Sequence, residues 1–142
     1  MHFTQISYKD LNARQQETYN FHKVAAVLAD YGFTCIRLSD DWQGADFIAQ
    51  HIDGETFLKV QLKGRLTFDA KYTGKGLWVC FIHGDQVFLY PHDEALERFS
   101  QAERITHTVA WQQNGQYHFP HLGNKVLELI QDYRIQSVRT FG

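Results

Sequence analysis

Apolar positions along the chain fall in short clusters, and their spacing switches between two periods. From about Asp10 to Tyr31 the period is helical: Phe21, Val24, Val27, Leu28 and Tyr31 share one face, and Gly32 supplies a C-terminal stop. The run Phe33–Leu38 is short and contains β-branched residues, which predicts a strand. Two further strands, about Ala45–His51 and Thr56–Lys63, flank Asp53-Gly54, a strong signal for a tight hairpin. A second hairpin is expected from Leu77–His83 and Gln86–Tyr90 around Gly84-Asp85. Pro91 then opens a helix to about Phe99, with Asp93 and Glu94 in the first turn where the helix dipole favours them. Ile105–Trp111 and Gln116–Phe119 around Asn114-Gly115 read as a third hairpin. A helix from about Asn124 to Tyr133, with Val126, Leu127, Ile130 and Tyr133 on one face, closes the chain. The predicted order is α-β-β-β-β-β-α-(β-β)-α, an α/β or α+β sheet with helices against it.

The first hairpin fixes more than its own turn. If Asp53 and Gly54 are the turn residues, Ile52 faces Glu55 and the register carries Asp46 opposite Gln61, with Cβ atoms roughly 4.5–5.5 Å apart. Lys63, two residues beyond Gln61, points to the same face. The opposite face, Ala45, Phe47 and Ala49 against Leu58, Val60 and Leu62, is apolar and belongs to the core. A carboxylate, an amide and an ammonium thus converge at the open end of the hairpin. A carboxylate with amide or main-chain carbonyl oxygens is a hard-oxygen set suited to Mg²⁺, completed by water and a phosphate. A lysine beside it orients or deprotonates an attacking water and offsets charge in the transition state.

The connection that follows carries Lys59, Lys63, Arg65, Lys71 and Lys75 with only Asp69 against them. Such a stripe suits a phosphate backbone, and Trp42, Phe68, Tyr72 and Trp78 are candidate stacking surfaces.

These residues resemble a known family. Gly44-Ala45-Asp46-Phe47-Ile48-Ala49, the hairpin, and Val60-Gln61-Leu62-Lys63 look like the PD-(D/E)xK nuclease superfamily. The likeness is greatest to the Gln-x-Lys variants of Mrr-like restriction enzymes and small archaeal-resolvase-like endonucleases. The stretch from Val24 to Phe33 is similar to the first core helix of those proteins, and the resemblance covers roughly residues 18–90. It implies a restriction-endonuclease-like mixed sheet with flanking helices, of core order α-β-β-β-α-β. It further implies that Asp46 binds Mg²⁺ (Mn²⁺ as substitute), Gln61 replaces the usual glutamate, Leu62 offers its carbonyl and Lys63 is catalytic. Lys59, Arg65, Lys71 and Lys75 would then contact DNA. Many relatives carry a first-helix glutamate where this chain has Phe21; Glu17, one turn earlier, is the alternative acid. Residues 66–76, with two glycines, match the second core helix of the family poorly.

Composition narrows the remaining options. The 142 residues suit a single domain, in which 91–142 would be an addition to the core. Hydrophobic residues make up 44% and charged residues 21%, which excludes a disordered tail or a coiled coil. The net charge of −2 provides no global field for nucleic acid, so DNA would have to meet a local patch. Two cysteines in apolar runs, with no signal-like or membrane-spanning stretch, point to a reducing cytoplasm and no membrane partner. No GxSxG, P-loop, dinucleotide or HExxH motif is present. His118 and His121 are a weak zinc pair, because Pro120 breaks any helix between them and no third ligand is evident. Asp40 and Asp41 read as turn or supporting residues. The expected function is a Mg²⁺-dependent DNA endonuclease, for which cutting both strands would favour a homodimer or a partner subunit, with residues 101–120 a candidate for specificity. The alternative is a nuclease-like module that binds nucleic acid or a protein partner without turnover.

Overall fold

The computed structural model describes residues 1–135; residues 136–142, the end of the expected C-terminal addition, lie outside the described residues. The long helix α1 spans Ala13–Ala29 and follows a 3-10 turn, Tyr8–Asp10. Asn12 begins it: its side chain accepts the Gln15 N–H while the Gln15 side chain accepts the Asn12 N–H, both at 2.9 Å. Two otherwise orphaned donors are satisfied in this reciprocal box. Phe21, Val24 and Leu28 are buried as the periodicity requires, but Tyr31 lies beyond the last helical residue and is 42% exposed.

Strands β1 (Phe33–Trp42), β2 (Ala45–His51) and β3 (Phe57–Lys63) form an antiparallel meander. β5 (Leu77–His83) lies parallel to β3, and β6 (Gln86–Pro91) and the short β8 (Arg134–Ile135) complete a six-stranded mixed sheet in the order β1-β2-β3-β5-β6-β8. A parallel neighbour requires a crossover, because its two strand ends lie at opposite edges of the sheet. Residues 64–76 supply it without an α-helix. They form strand β4 (Thr67–Asp69) and a 3-10 turn (Ala70–Tyr72), as the poor helical pattern there suggests. Main-chain groups of the crossover are fastened from below: the Thr67 N–H donates to the Tyr90 hydroxyl at 3.1 Å, which donates to the Thr67 carbonyl at 2.5 Å. The Asp69 N–H donates to His92 Nε2 at 3.1 Å, which leaves the proton on Nδ1 to meet Asp93 Oδ1 at 3.0 Å.

The sheet buries both faces. Against α1 pack Phe47, Ala49, Val60, Cys80, Val87 and Leu89, with the Phe21 and Phe47 rings edge-on at 5.2 Å. The other face, from Leu77, Val79, Phe81, Phe88 and Tyr90, is covered by the crossover, by α2 (His92–Gln101) and by α4 (Asn124–Ile130). The observed class is the one expected, a mixed β-sheet with flanking helices. Among the described residues no helix is long and apolar enough to cross a membrane.

The expected hairpin over 105–119 does not form. Val109–Asn114 is a helix, α3, whose first turn is capped by the Thr108 side chain, and strand β7 (Gln116–His118) pairs with β4 instead. Asn-Gly marks a helix end as well as a hairpin turn, and here the first role wins. Gly115 sits at φ 65°, donates to the Trp111 carbonyl at 2.8 Å, and brings its own carbonyl to the Ala70 N–H at 2.7 Å. The left-handed φ favours glycine, and a Cβ there would press on the Ala70 Cβ at 3.1 Å. The closing helix is also shorter than expected: it continues over Gln131–Tyr133 as a 3-10 turn.

Candidate active site

The β2–β3 register is the expected one. Phe47 pairs with Val60, Ile48 with Lys59, Ala49 with Leu58 and Gln50 with Phe57. The turn is wider than two residues: the His51 N–H still reaches the Thr56 carbonyl at 2.9 Å, but the Ile52 N–H leaves for Gly32 and does not face Glu55. The Asp53 side chain holds this wider turn, accepting from the N–H groups of Glu55 and Thr56.

At the opposite end of the hairpin the ladder stops at Phe47, and Asp46 takes over with its side chain. Its Oδ2 accepts the Leu62 N–H at 2.8 Å. In an extended strand the N–H and C=O of one residue point to the same side, so the Leu62 carbonyl faces the Asp46 edge too. Asp46 is half-buried, and desolvation raises its pKa above the ordinary carboxylate value. The Leu62 N–H and the charge of Lys63 oppose that rise, while Asp41 and Glu17 reinforce it.

A cavity of about 140 Å³ beside Asp46 is lined by Glu17 and Phe21 of α1, Arg37 and residues 38–41 of β1, and Leu62 of β3. The Asp41 carboxylate stands at this cavity in a turn, one of the two roles expected for it. Gln43 and Gly44 are both left-handed, at φ 54° and 89°, and the Gly44 N–H donates to Asp41 Oδ1 at 2.8 Å. This two-residue turn reverses β1 into β2 and shifts the strand register between Arg37 and Trp42. Asp40 and Asp41 fall within that irregular stretch and line the cavity beside Asp46.

The other expected residues divide. Glu17 lines the cavity and acts electrostatically on Asp46. Gln61 is half-buried and pairs with Val79 of β5, and the β2–β3 ladder ends one pair short of bringing it opposite Asp46. The Lys63 ammonium stands 5.7 Å from the centre of the Tyr72 ring. Lys59 is committed to the protein: it donates to Gln43 Oε1 at 3.0 Å and to the Lys75 carbonyl, and lies over the Trp42 ring. Lys71 makes an ion pair with Asp69 at 3.7 Å and stands over Tyr72. Arg65 and Lys75 are exposed. Phe68 and Tyr72 are core residues, buried to 0% and 2% exposure, and Trp78 packs partly buried on the α1 face. None of these three offers an open stacking surface. His118 Nδ1 meets Thr67 Oγ1 at 2.9 Å, and burial together with Arg65 and Lys63 lowers its pKa.

The second oxygen of Asp46 and the Leu62 carbonyl share one edge, while the Gln61 amide is not among the groups that line the cavity beside Asp46. Among the described residues no three His, Cys, Asp or Glu side chains stand close enough to hold a metal between them. A divalent ion here would therefore rest on the Asp46 carboxylate with main-chain carbonyl oxygen and water. That donor set fits Mg²⁺, which keeps several waters and takes one or two protein carboxylates.

No family model and no curated protein matches the chain. Among solved structures, a Holliday junction resolvase from Archaeoglobus fulgidus, Hjc, is similar at 19% identity and a TM-score of 0.41. The match covers 54% of this chain and 72% of that one.

Proposed function

We propose that the chain is a Mg²⁺-dependent endonuclease that hydrolyses phosphodiester bonds in DNA. The observation that carries this reading is the seat of Asp46. A half-buried carboxylate is held by the Leu62 N–H at the open end of the hairpin, in the field of Lys63, with its pKa raised. Burying an acid beside other acids works against folding, and such perturbed groups concentrate at functional sites.

Asp46, the Gln61 amide oxygen and the Leu62 carbonyl would hold the metal, with Mn²⁺ as a substitute. When bound, the ion supplies Lewis-acid stabilisation of phosphate charge and lowers the pKa of a water. Lys63 orients the attacking water and counters the negative charge that builds on the phosphate oxygens. Glu17 contributes the first-helix acid. Arg65 and Lys75 meet the DNA backbone from the exposed surface, while Lys59 and Lys71 position the loop that carries them. Cleavage of both strands calls for a second copy or a partner subunit, and the protein works in the cytoplasm as a single domain.

One observation favours a second reading, a nuclease-like module that binds nucleic acid or a protein partner without turnover. Lys59 and Lys71 engage Gln43, the Lys75 carbonyl and Asp69, which thins the phosphate-binding stripe. The deciding experiment incubates the protein with supercoiled and linear DNA in Mg²⁺, Mn²⁺ or EDTA, beside Lys63→Ala. Metal-dependent cleavage that disappears in the variant while DNA binding persists supports the enzyme. Salt-sensitive binding without cleavage in either metal supports the module.

A further inference from the structure

On the α1 side of the sheet, adjoining the candidate site through Leu62 and Lys63, lies a cleft of about 660 Å³. This is within the ~300–1,000 Å³ of small-ligand sites. Its floor is apolar, formed by Val27, Leu62, Ile82 and Val87, and its outer wall is Tyr8 and Tyr19. Lys23, on the same wall, holds its ammonium 5.2 Å from the centre of the Tyr19 ring.

The outer wall is built with unusual care for a segment that contributes nothing to the core. The 3-10 turn Tyr8–Asp10 buries none of its residues. It is nevertheless fixed at several points. The Asp10 side chain accepts the Ser7 N–H at 3.0 Å, and the Asn20 amide donates to the Tyr8 hydroxyl at 3.0 Å. The Tyr8 and Tyr19 rings meet edge-on at 5.3 Å. Both tyrosines stay about two-fifths exposed despite these contacts. Two fixed, part-exposed rings, one carrying an ammonium over its face that a base could displace toward its own phosphate, beside an apolar floor, are what an unstacked nucleotide requires.

We propose that this cleft receives an unpaired nucleotide of the DNA strand, its base against Tyr19 and Tyr8 and its phosphate toward Lys23. The assignment deepens the nuclease reading by naming the substrate class as DNA with a single-stranded gap or flap, and it rests on that reading for the identity of the polymer. A base held there lies on one side of β3 while its neighbouring phosphate is drawn toward the end of the strand, at Lys63. Fully paired duplex cannot fill the cleft without extruding a base, at an unstacking cost.

The test measures binding in EDTA, so that no cleavage is required, with a gapped duplex, a flap and a fully paired duplex of equal length. The wild type is expected to prefer the gapped and flapped DNA about tenfold, from the stacking of one base. Tyr19→Ala should abolish the preference, Tyr19→Phe should restore it, and Lys23→Ala should weaken it while reducing the salt dependence. A free deoxynucleoside monophosphate at millimolar concentration should compete for the gapped DNA only. Equal affinity for all three DNAs, a preference that survives Tyr19→Ala, or no binding at all overturns the assignment. A Tyr19-dependent preference in a protein that never cleaves would leave the cleft standing and remove the enzyme.

Discussion

The β2–β3 hairpin carries an aspartate at each end, and the two behave in opposite ways. Asp53, at the closed end, gathers three hydrogen bonds, from the Glu55 and Thr56 N–H groups at 2.8 Å and the Thr56 hydroxyl at 2.6 Å. Those bonds hold its pKa far below the ordinary carboxylate value. Asp46, at the open end, has one such bond, from Leu62, together with desolvation and two acidic neighbours that raise its pKa. The residue type and the hairpin are the same, so environment alone separates them. Asp53 satisfies backbone donors that the turn would otherwise leave to water, which is a structural task. Asp46 retains an oxygen that the fold does not use and is held against its own solvation preference. That is the profile the proposed metal-binding role calls for, at some cost to stability.

The sharpest way to break this contrast is to remove each charge and measure both activity and stability. Asp46→Asn preserves the acceptor for Leu62 but not the charge. Cleavage in Mg²⁺ should fall by at least about 10²-fold, the scale of losing one charged group from an electrostatic site. The thermal midpoint should stay level or rise slightly. Asp53→Ala should leave the cleavage rate within about twofold in the folded protein, by the ordinary tolerance of sites that share no partners, while the midpoint falls. An Asp46→Asn protein that cuts like the wild type would remove Asp46 from the site, whatever its pKa.

Why one end was legible in the sequence and the surroundings of the other were not has a physical basis. Asp53-Gly54 fixes register locally, and register alone placed Asp46 beside the far end of β3 even though the turn proved wider than two residues. Asp41, one of the two acids acting on Asp46, is held at the Gln43-Gly44 turn, where a glutamine adopts a conformation that L residues rarely accept. Asp40-Asp41 and Gly44 mark a turn in the sequence, but no local preference says that it closes beside Asp46. Glu17 could be singled out only by analogy, because a surface glutamate on α1 carries no sign of what the sheet will bring opposite it. The aromatic residues were misjudged for a different reason. The crossover between β3 and β5 has few apolar positions, so Phe68 and Tyr72 appeared available, yet α2 and β7 cover them from the outside.

The Gln43-Gly44 turn offers a test of intermediate size. A Cβ at Gly44 would meet Tyr72 and Leu77 side chains at 3.4 Å, ordinary contact, so space is not the obstacle. The φ of 89° is, and Gly44→Ala should cost about 1–2 kcal/mol in stability. Because this turn aims Asp41 and sets where β2 begins, cleavage should fall more than the stability loss explains when measured well below the new midpoint. If stability falls and the rate of the folded fraction does not, the acids of β1 have no part in the site.

The smallest effect, and the most diagnostic, lies in the pH dependence of stability. Asp53 has a depressed pKa in the folded state, so its contribution is present above the ordinary carboxylate value and is lost as the pH falls below it. Asp46 has a raised pKa, so its contribution is most favourable below the ordinary value, with the proton bound, and is lost as the pH rises through the raised one. Near pH 7, Asp53→Ala should therefore melt below the wild type and Asp46→Asn at or above it, and both differences should shrink toward acid, from opposite sides. Thermal midpoints of the three proteins between pH 3 and pH 7 at fixed ionic strength check the signs. Two differences of the same sign would mean that the Leu62 bond and Lys63 outweigh desolvation at Asp46. The open end would then be stabilised like the closed one, and the case for a carboxylate held for catalysis would lose its physical ground.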